Sequence, residues 1–490
     1  MRSSGVLMHL SSLPSDYGIG TMGKAAYDFV DFLEKAGQKL WQVLPVNPTS
    51  YGDSPYQSFS TYAGNPYFID LDLLAMDGLL EDSDYAGLDW GSDPAKVDYS
   101  RIFELRFPVL KKAYATFARK PQAAFSAFQK ENAAWLDDYA LYMAIKRAHW
   151  DHSWTEWEES LRRREPVMLA RWKKELESEI GFWKFLQYEF ARQWKRLKAY
   201  ANDKGVRIVG DIPIYVAMDS ADVWANPEMF LLDSELHPID VAGCPPDYFS
   251  ETGQLWGNPV YNWEEHRRDG YRWWLSRISA ALSRYDIVRI DHFRGFESFW
   301  AVPAEDETAE NGEWRKGPGM ELFDCVNEKL GGASIIAEDL GLITEPVRAL
   351  LKASGYPGMK VLEFAFTAGQ DSDYLPHNYG KNCVCYTGTH DNDTLAGWFD
   401  SISEADREFV MAYTRSRTPE EGPWDLISLA WASTADTAIA QMQDFLELGS
   451  EARMNTPSTP SGNWSWRLIS GQLTDELAER MAEMTRLYWR

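Results

Sequence analysis

Basic residues are in short supply here: 49 Lys and Arg face 74 Asp and Glu, a formal net charge of -25 over 490 residues. Such a chain offers no basic footprint for a phosphate backbone or an anionic lipid surface, which argues against nucleic acid and membrane as partners. No segment approaches the ~20 consecutive apolar residues that cross a bilayer. The stretch from Met1 to Leu13 also lacks the long apolar core of a secretory leader. Cysteine is rare, limited to Cys244, Cys325, Cys383 and Cys385. None forms a C-x-x-C pair, and Cys383 and Cys385 would project from the same side of one strand. They read as reduced and structural, which suits the cytoplasm. There is no internal repeat, no low-complexity tract and no H-E-x-x-H or comparable ligand spacing, so no metal and no cofactor is expected.

What is present is an ordinary globular composition, 45% hydrophobic and 25% charged, with an aromatic share of 14%. The length implies one large domain with insertions, or two to three units. A neutral substrate fits the charge balance. Most of the 22 Trp, 24 Tyr and 23 Phe belong to a core. Some are expected to line a sugar groove, because an indole or phenol matches the flat apolar face of a pyranose and offers a polar tip.

Short apolar runs bounded by turn residues recur along the chain: 6–10, 40–46, 207–214, 286–291, 334–338, 359–366 and 382–387, with an eighth at 437–443 that also fits the continuation of a helix. Helical patterns separate them, as at 25–36, 271–282, 346–353 and 405–415. Alternating strand and helix predicts parallel strands covered by helices, and eight strands predict a closed (β/α)8 TIM-type barrel spanning 1–490. Three intervals are too long to be simple connections. Residues 71–200 read as a largely helical insertion subdomain, 216–270 as a loop-rich insertion bordering the active site, and 303–319 as a polar insertion loop.

Acids stand at the ends of four of the runs. Asp211 closes RIVGD, Asp291 closes DIVRID, Glu338 closes SIIAED and Asp391 follows CYTGTH. A single acid after an apolar run is commonly a helix cap or a salt-bridge partner. Four in register on one barrel would converge on one mouth. Arg289 lies two residues before Asp291, so it shares the strand face and holds that carboxylate ionised. Converging carboxylates without a Cys/His cluster favour glycosyl transfer: one acid protonates the leaving oxygen and a second carboxylate attacks or stabilises the anomeric carbon. Glu338, with the longer reach and acidic neighbours, suits proton transfer; Asp291 suits attack; Asp391, preceded by His390, suits the ring hydroxyls.

At these residues the chain resembles the 4-α-glucanotransferases, or amylomaltases, of the α-amylase clan. The matching segments are RIDHFRG (289–295), AEDLG (337–341), GTHDNDT (388–394), GDIPIYV (210–216), SSLPSDYGIG (11–20), GDSPYQ (52–57), GNPYFID (64–70), PPDYFSETGQLWGNPVY (245–261) and RMNTP (453–457). The resemblance covers essentially the whole chain. It implies a retaining mechanism with Asp291 as nucleophile, Glu338 as general acid/base and Asp391 as transition-state stabiliser. It also implies substrate-binding positions at Tyr56, Asp211, Arg289, His292, His390 and Asn455, with Tyr248, Phe249, Gln254 and Trp256 on a loop over the acceptor side. The expected partners are α-1,4-glucans and malto-oligosaccharides. The residues alone leave two other readings open, an α-glucan hydrolase using the same acids and a non-catalytic glucan-binding protein. They leave the oligomeric state undetermined.

Overall fold

A computed structural model describes residues 2–119, 123–246, 250–459 and 461–490. Twelve strands occur among them: β1 (Ser3–Leu7), β2 (Leu40–Gln42), β3 (Arg207–Ile212), β4 (Asp240–Cys244), β5 (Gln254–Pro259), β6 (Ile287–Ile290), β7 (Ser298–Pro303), β8 (Glu313–Lys316), β9 (Ile335–Ala337), β10 (Gly358–Val361), β11 (Cys383–Tyr386) and β12 (Thr437–Gln441). Eight of these form one parallel sheet in the order β10-β11-β12-β1-β2-β3-β6-β9. At the remaining seam the Ala337 N–H donates to the Pro357 carbonyl at 2.9 Å, and the Met359 N–H donates to Asp339 Oδ1 at 2.6 Å. These two bonds bring β9 and β10 together and close the expected barrel. All eight apolar runs, including the ambiguous one at 437–443, contribute a strand. A hydrogen bond from the Tyr386 hydroxyl to Gln42 Oε1 at 2.8 Å spans the interior between β11 and β2, which are not neighbours in the sheet.

Apart from β1, the barrel strands are shorter than the apolar runs that announce them. The run 40–46 supplies only Leu40–Gln42. Val43 still donates its N–H to the Val209 carbonyl, and Leu44 and Val46 remain buried as the chain turns outward over the barrel rim. The run 359–366 leaves the sheet after Val361 and tightens into a 3-10 turn, Leu362–Phe364. Burial, rather than strand geometry, keeps Leu44, Val46, Leu362, Ala365 and Phe366 apolar.

The long helices Tyr99–Phe117, Ala133–Ala148 and Glu177–Asp203 lie between β2 and β3. Asp98 caps the first of them by accepting from the Arg101 N–H. Their apolar faces belong to the same continuous buried cluster as the barrel strands. Close approach governs the fit at Gly210 on β3, where an added Cβ would lie 2.1 Å from the Tyr285 ring. Tyr285 is buried and edge-on to Trp194 of the long helix. Gly210→Ala should therefore cost about 2 kcal/mol through overpacking, read as a lower urea midpoint at unchanged slope.

The loop-rich stretch 216–270 and the polar stretch 303–319 turn out to contain strands. β4 and β5 from the first pair with β7 and β8 in a four-stranded antiparallel sheet, order β5-β4-β7-β8. This second sheet carries Gln254 and Trp256 on β5, and Trp256 meets His292 just past β6.

Candidate active site

Each strand-end acid is delivered by the barrel and then fixed by a local device. Asp211 lies within β3 and is 0% exposed. Asp291 follows β6 directly and donates its backbone N–H to the Ile212 carbonyl at 3.0 Å. Glu338 follows β9 and donates its N–H to the Ile290 carbonyl at 3.0 Å. These rungs continue the parallel ladder one step past the strands, so the three acids rise side by side. Asp391 sits further out, on a turn after β11. There Asn392 Oδ1 accepts from the Thr389 N–H and from Thr389 Oγ1, both at 2.9 Å. That clasp makes His390 and Asp391 the projecting residues of the turn. Thr394 then caps the helix Leu395–Ser401 through the Gly397 N–H.

Arg289 is the centre of the cluster. Its Nη1 lies 2.6 Å from Asp211 Oδ2 and 3.1 Å from Asp291 Oδ1. Burial works against its charge, but Asp211 and Asp291 overcome that and hold the guanidinium more firmly protonated than usual. Tyr56 donates its hydroxyl to Asp211 Oδ2 at 2.8 Å, and burial followed by the Asp211 charge raises the phenol well above its ordinary range. The same ring stacks on His390, with centroids 4.9 Å apart and planes at 16°. Burial lowers the His390 imidazole, so the ring is neutral near pH 7, opposed in part by Asp391. A proton on Nε2 suits its 3.3 Å approach to Asp391 Oδ2. Asn455 donates Nδ2 to Asp391 Oδ1 at 2.6 Å.

Asp291 and Glu338 form an interacting pair. Burial raises both carboxyls above their usual values; Asp291 is raised further by Glu338, Asp211 and Asp391, with Arg289 opposing. In Glu338, Arg289 and two backbone donors oppose the burial effect: His292 N–H to Oε2 at 2.6 Å and Leu340 N–H to Oε1 at 2.7 Å. His292 adopts left-handed φ 48° and ψ 49°, uncommon for a residue with a Cβ, and this conformation turns its N–H onto Glu338. Such a pair titrates as a unit and retains a proton above the ordinary carboxyl range. Exposure differs within the cluster: Glu338 is 8% exposed, whereas the Asp291 and Asp391 side chains are 28% and 47% exposed and open to the cleft.

Among the expected binding residues, Trp256 packs edge-on against His292 at 4.9 Å and donates its Nε1–H to Gln254 Oε1 at 3.1 Å. Gln57 joins this strand to the Tyr56 loop by donating to Asn258 Oδ1 at 3.2 Å. Tyr56, Asp211, Arg289, His292, His390, Asn455 and Trp256 thus surround the three acids, with Gln254 one contact away. Tyr248 and Phe249 lie outside the described residues. Two further residues take part. Arg453 donates to the Asp391 carbonyl at 2.6 Å, and Trp464 tilts against both Tyr56 and His390 at 5.8 and 5.9 Å. RMNTP contains Arg453, but nothing local in the sequence singles out Trp464. Among the described residues, no group of three or more His, Cys, Asp or Glu is arranged to hold a metal ion. Also among them, no helix is long and apolar enough to cross a membrane.

Comparison with known proteins places this geometry in context. The sequence model of the family described as 4-alpha-glucanotransferase matches residues 8–472. A 4-alpha-glucanotransferase of Clostridium butyricum is 52% identical over 485 residues, 99% of this chain and 100% of the relative. One from Thermus thermophilus is 49% identical, covering 99% and 98%. In three dimensions, an amylomaltase from Streptococcus agalactiae in complex with acarbose superposes with a TM-score of 0.98 at 44% identity, covering 100% of both chains.

Proposed function

The chain belongs to the 4-alpha-glucanotransferase family, and we propose that Asp291, Glu338 and Asp391 divide its reaction as nucleophile, proton carrier and ring-holding group. The enzyme transfers α-1,4-glucan segments from a donor malto-oligosaccharide to an acceptor glucan or glucose. The observation that carries the division of roles is the bridging of Asp211 and Asp291 by Arg289, with Glu338 hydrogen-bonded beside them.

In the first half-reaction Asp291 attacks the anomeric carbon. The bond from that carbon to the bridging oxygen breaks, and the oxygen takes a proton from Glu338 as the trimmed glucan leaves. Each Glu338 oxygen already accepts one backbone N–H and keeps a second lone-pair position, which carries the transferred proton. In the second half-reaction the 4-hydroxyl of the acceptor attacks the same carbon, its proton passes to Glu338 and the Asp291 ester breaks. Two inversions retain the α configuration. Asp391, steered by Asn455 and His390, holds ring hydroxyls during the distortion. Arg289 keeps Asp291 anionic for attack once the bridging oxygen has drawn the shared proton onto Glu338.

Sugar outcompetes water only where the acceptor side is covered. Trp256 and Gln254 on β5 supply that cover, and the stretch 216–270 is the insertion that brings them. We read 71–200 and 303–319 as the other two insertions on the barrel. The four cysteines, none in a disulfide among the described residues, suit a reducing cytoplasm.

Incubation with maltotriose alone tests the reaction. Glucose together with a ladder of longer oligosaccharides is the expected product pattern on a sizing column. Maltose and glucose without elongation would instead establish a hydrolase.

A further inference from the structure

We propose that Glu363 is a positioning residue, a buried carboxyl that braces the Gly388–Asn392 turn and thereby aims His390 and Asp391. This rests on the role assigned to Asp391 above. Glu363 occupies the 3-10 turn just past β10, and its backbone N–H donates to the Thr387 carbonyl at 3.3 Å, which seats it under the turn. It is 9% exposed. A Cβ added at Gly388 would meet Glu363 Oε1 at 2.4 Å, so the carboxyl fills the space that any side chain at 388 would need. Oε1 is buried with no hydrogen-bond partner among the described residues, and the Asn392 side chain faces the carboxyl. Asn392 is the residue whose Oδ1 clasps Thr389, so a push or pull on its amide reaches the catalytic turn directly.

The charges around Glu363 come from three segments. Asp444, on the helix Met442–Phe445, accepts from Thr387 Oγ1 at 2.6 Å and from the Leu395 N–H at 2.8 Å. Asp393, directly after the turn, accepts from Ser450 Oγ at 2.7 Å and the Thr394 N–H at 2.8 Å. Arg453 faces Glu363 but donates to the carbonyls of Asp391 and Asn455. Two carboxylates and one engaged cation thus surround a third buried carboxyl. Burial first, then Asp444 and Asp393, push Glu363 well above the usual carboxylate range, with Arg453 and the side-chain hydrogen bond with Asn392 opposing. A neutral carboxyl offers one O–H donor and one carbonyl acceptor. Glutamine offers a similar shape with the same pairing, and methionine offers similar length with neither.

The experiment compares wild type, Glu363→Gln and Glu363→Met in maltotriose transfer and in thermal melts from pH 5 to pH 8. Glu363→Gln is expected to keep kcat and KM within about twofold. Glu363→Met should lose about tenfold in kcat with KM little changed, since a turn displaced by a fraction of an ångström misplaces the reacting groups. In the melts, a carboxyl whose folded ionisation is raised keeps its proton in the native state while the unfolded chain has released it. Wild-type stability therefore falls as pH rises from the unfolded ionisation toward the folded one, and Gln does not titrate. The Tm advantage of Glu363→Gln should widen by about 2 °C across this window. Glu363→Gln as impaired as Glu363→Met, Glu363→Met as active as wild type, or a Tm gap that stays constant with pH would each overturn the assignment. The melting gap requires no turnover, so its failure is distinct from a failure of the catalytic roles, which wild-type transfer in the same assay reports.

Discussion

Asp291→Asn is expected to lower transfer by about 10⁴-fold or more while leaving malto-oligosaccharide affinity within a few-fold of wild type. The amide keeps the shape of the carboxyl but cannot form the glycosyl ester, so both half-reactions stop. The fold should survive the change, because Arg289 retains its 2.6 Å contact with Asp211 and is not left as an unpaired buried charge. Removing one negative group from beside Glu338 also lowers the cost of ionising Glu338, so the remaining acid should titrate at lower pH than in wild type. Binding rests on Asp391, Asn455, His390 and the Tyr56 ring, none of which Asp291 contacts as its main partner. Calorimetric titration with maltohexaose, together with maltotriose turnover, checks both halves. Turnover within tenfold of wild type would remove Asp291 from the nucleophile role.

That acid was legible because barrel geometry writes it into the chain: a short apolar run ending in a charge marks a strand whose last residue reaches the mouth. The same signal marked Asp211 and Glu338. Arg289 was legible from period two along one strand. The second sheet was not. β8 is Glu-Trp-Arg-Lys, and β5 ends in Gly-Asn-Pro with Gly257 at φ 74°, so neither shows the alternation that betrays a half-buried strand. Its pairing is set by partners up to about 60 residues away, which no local window contains. Trp464 faces the same limit: it meets Tyr56 and His390 only because the chain returns across the barrel mouth after Asn455. Glu363 was hidden differently. It lay inside an apolar run read as strand through 366, where the 3-10 turn that buries it carries the same composition as a strand.

Glu338→Gln should separate proton transfer from nucleophilic attack, and its outcome depends on the leaving group. With maltotriose, whose departing sugar oxygen is a poor leaving group without a proton, kcat is expected to fall about 10³-fold. With α-glucosyl fluoride as donor the first half-reaction needs no proton, since fluoride leaves as the anion. The remaining block is then the acceptor hydroxyl, which has lost its base. Azide needs no base, so adding it should restore turnover and yield α-glucosyl azide, the product of two inversions. The pH profile gives an independent reading. In wild type, kcat/KM for maltotriose falls as pH rises through the raised ionisation of the Asp291–Glu338 pair, because the proton for the leaving oxygen is gone. For Glu338→Gln with fluoride and azide that alkaline limb should be absent. The substitution also has a structural signature: Glu338 accepts from the N–H groups of His292 and Leu340, and one glutamine oxygen replaces only one of those acceptors. One backbone donor then faces an amide NH₂, a cost of about 1–3 kcal/mol visible as a lowered urea midpoint. If fluoride and azide turnover fell as far as maltotriose turnover, the loss would track this disturbed loop rather than a missing proton, and Glu338 would be a structural residue.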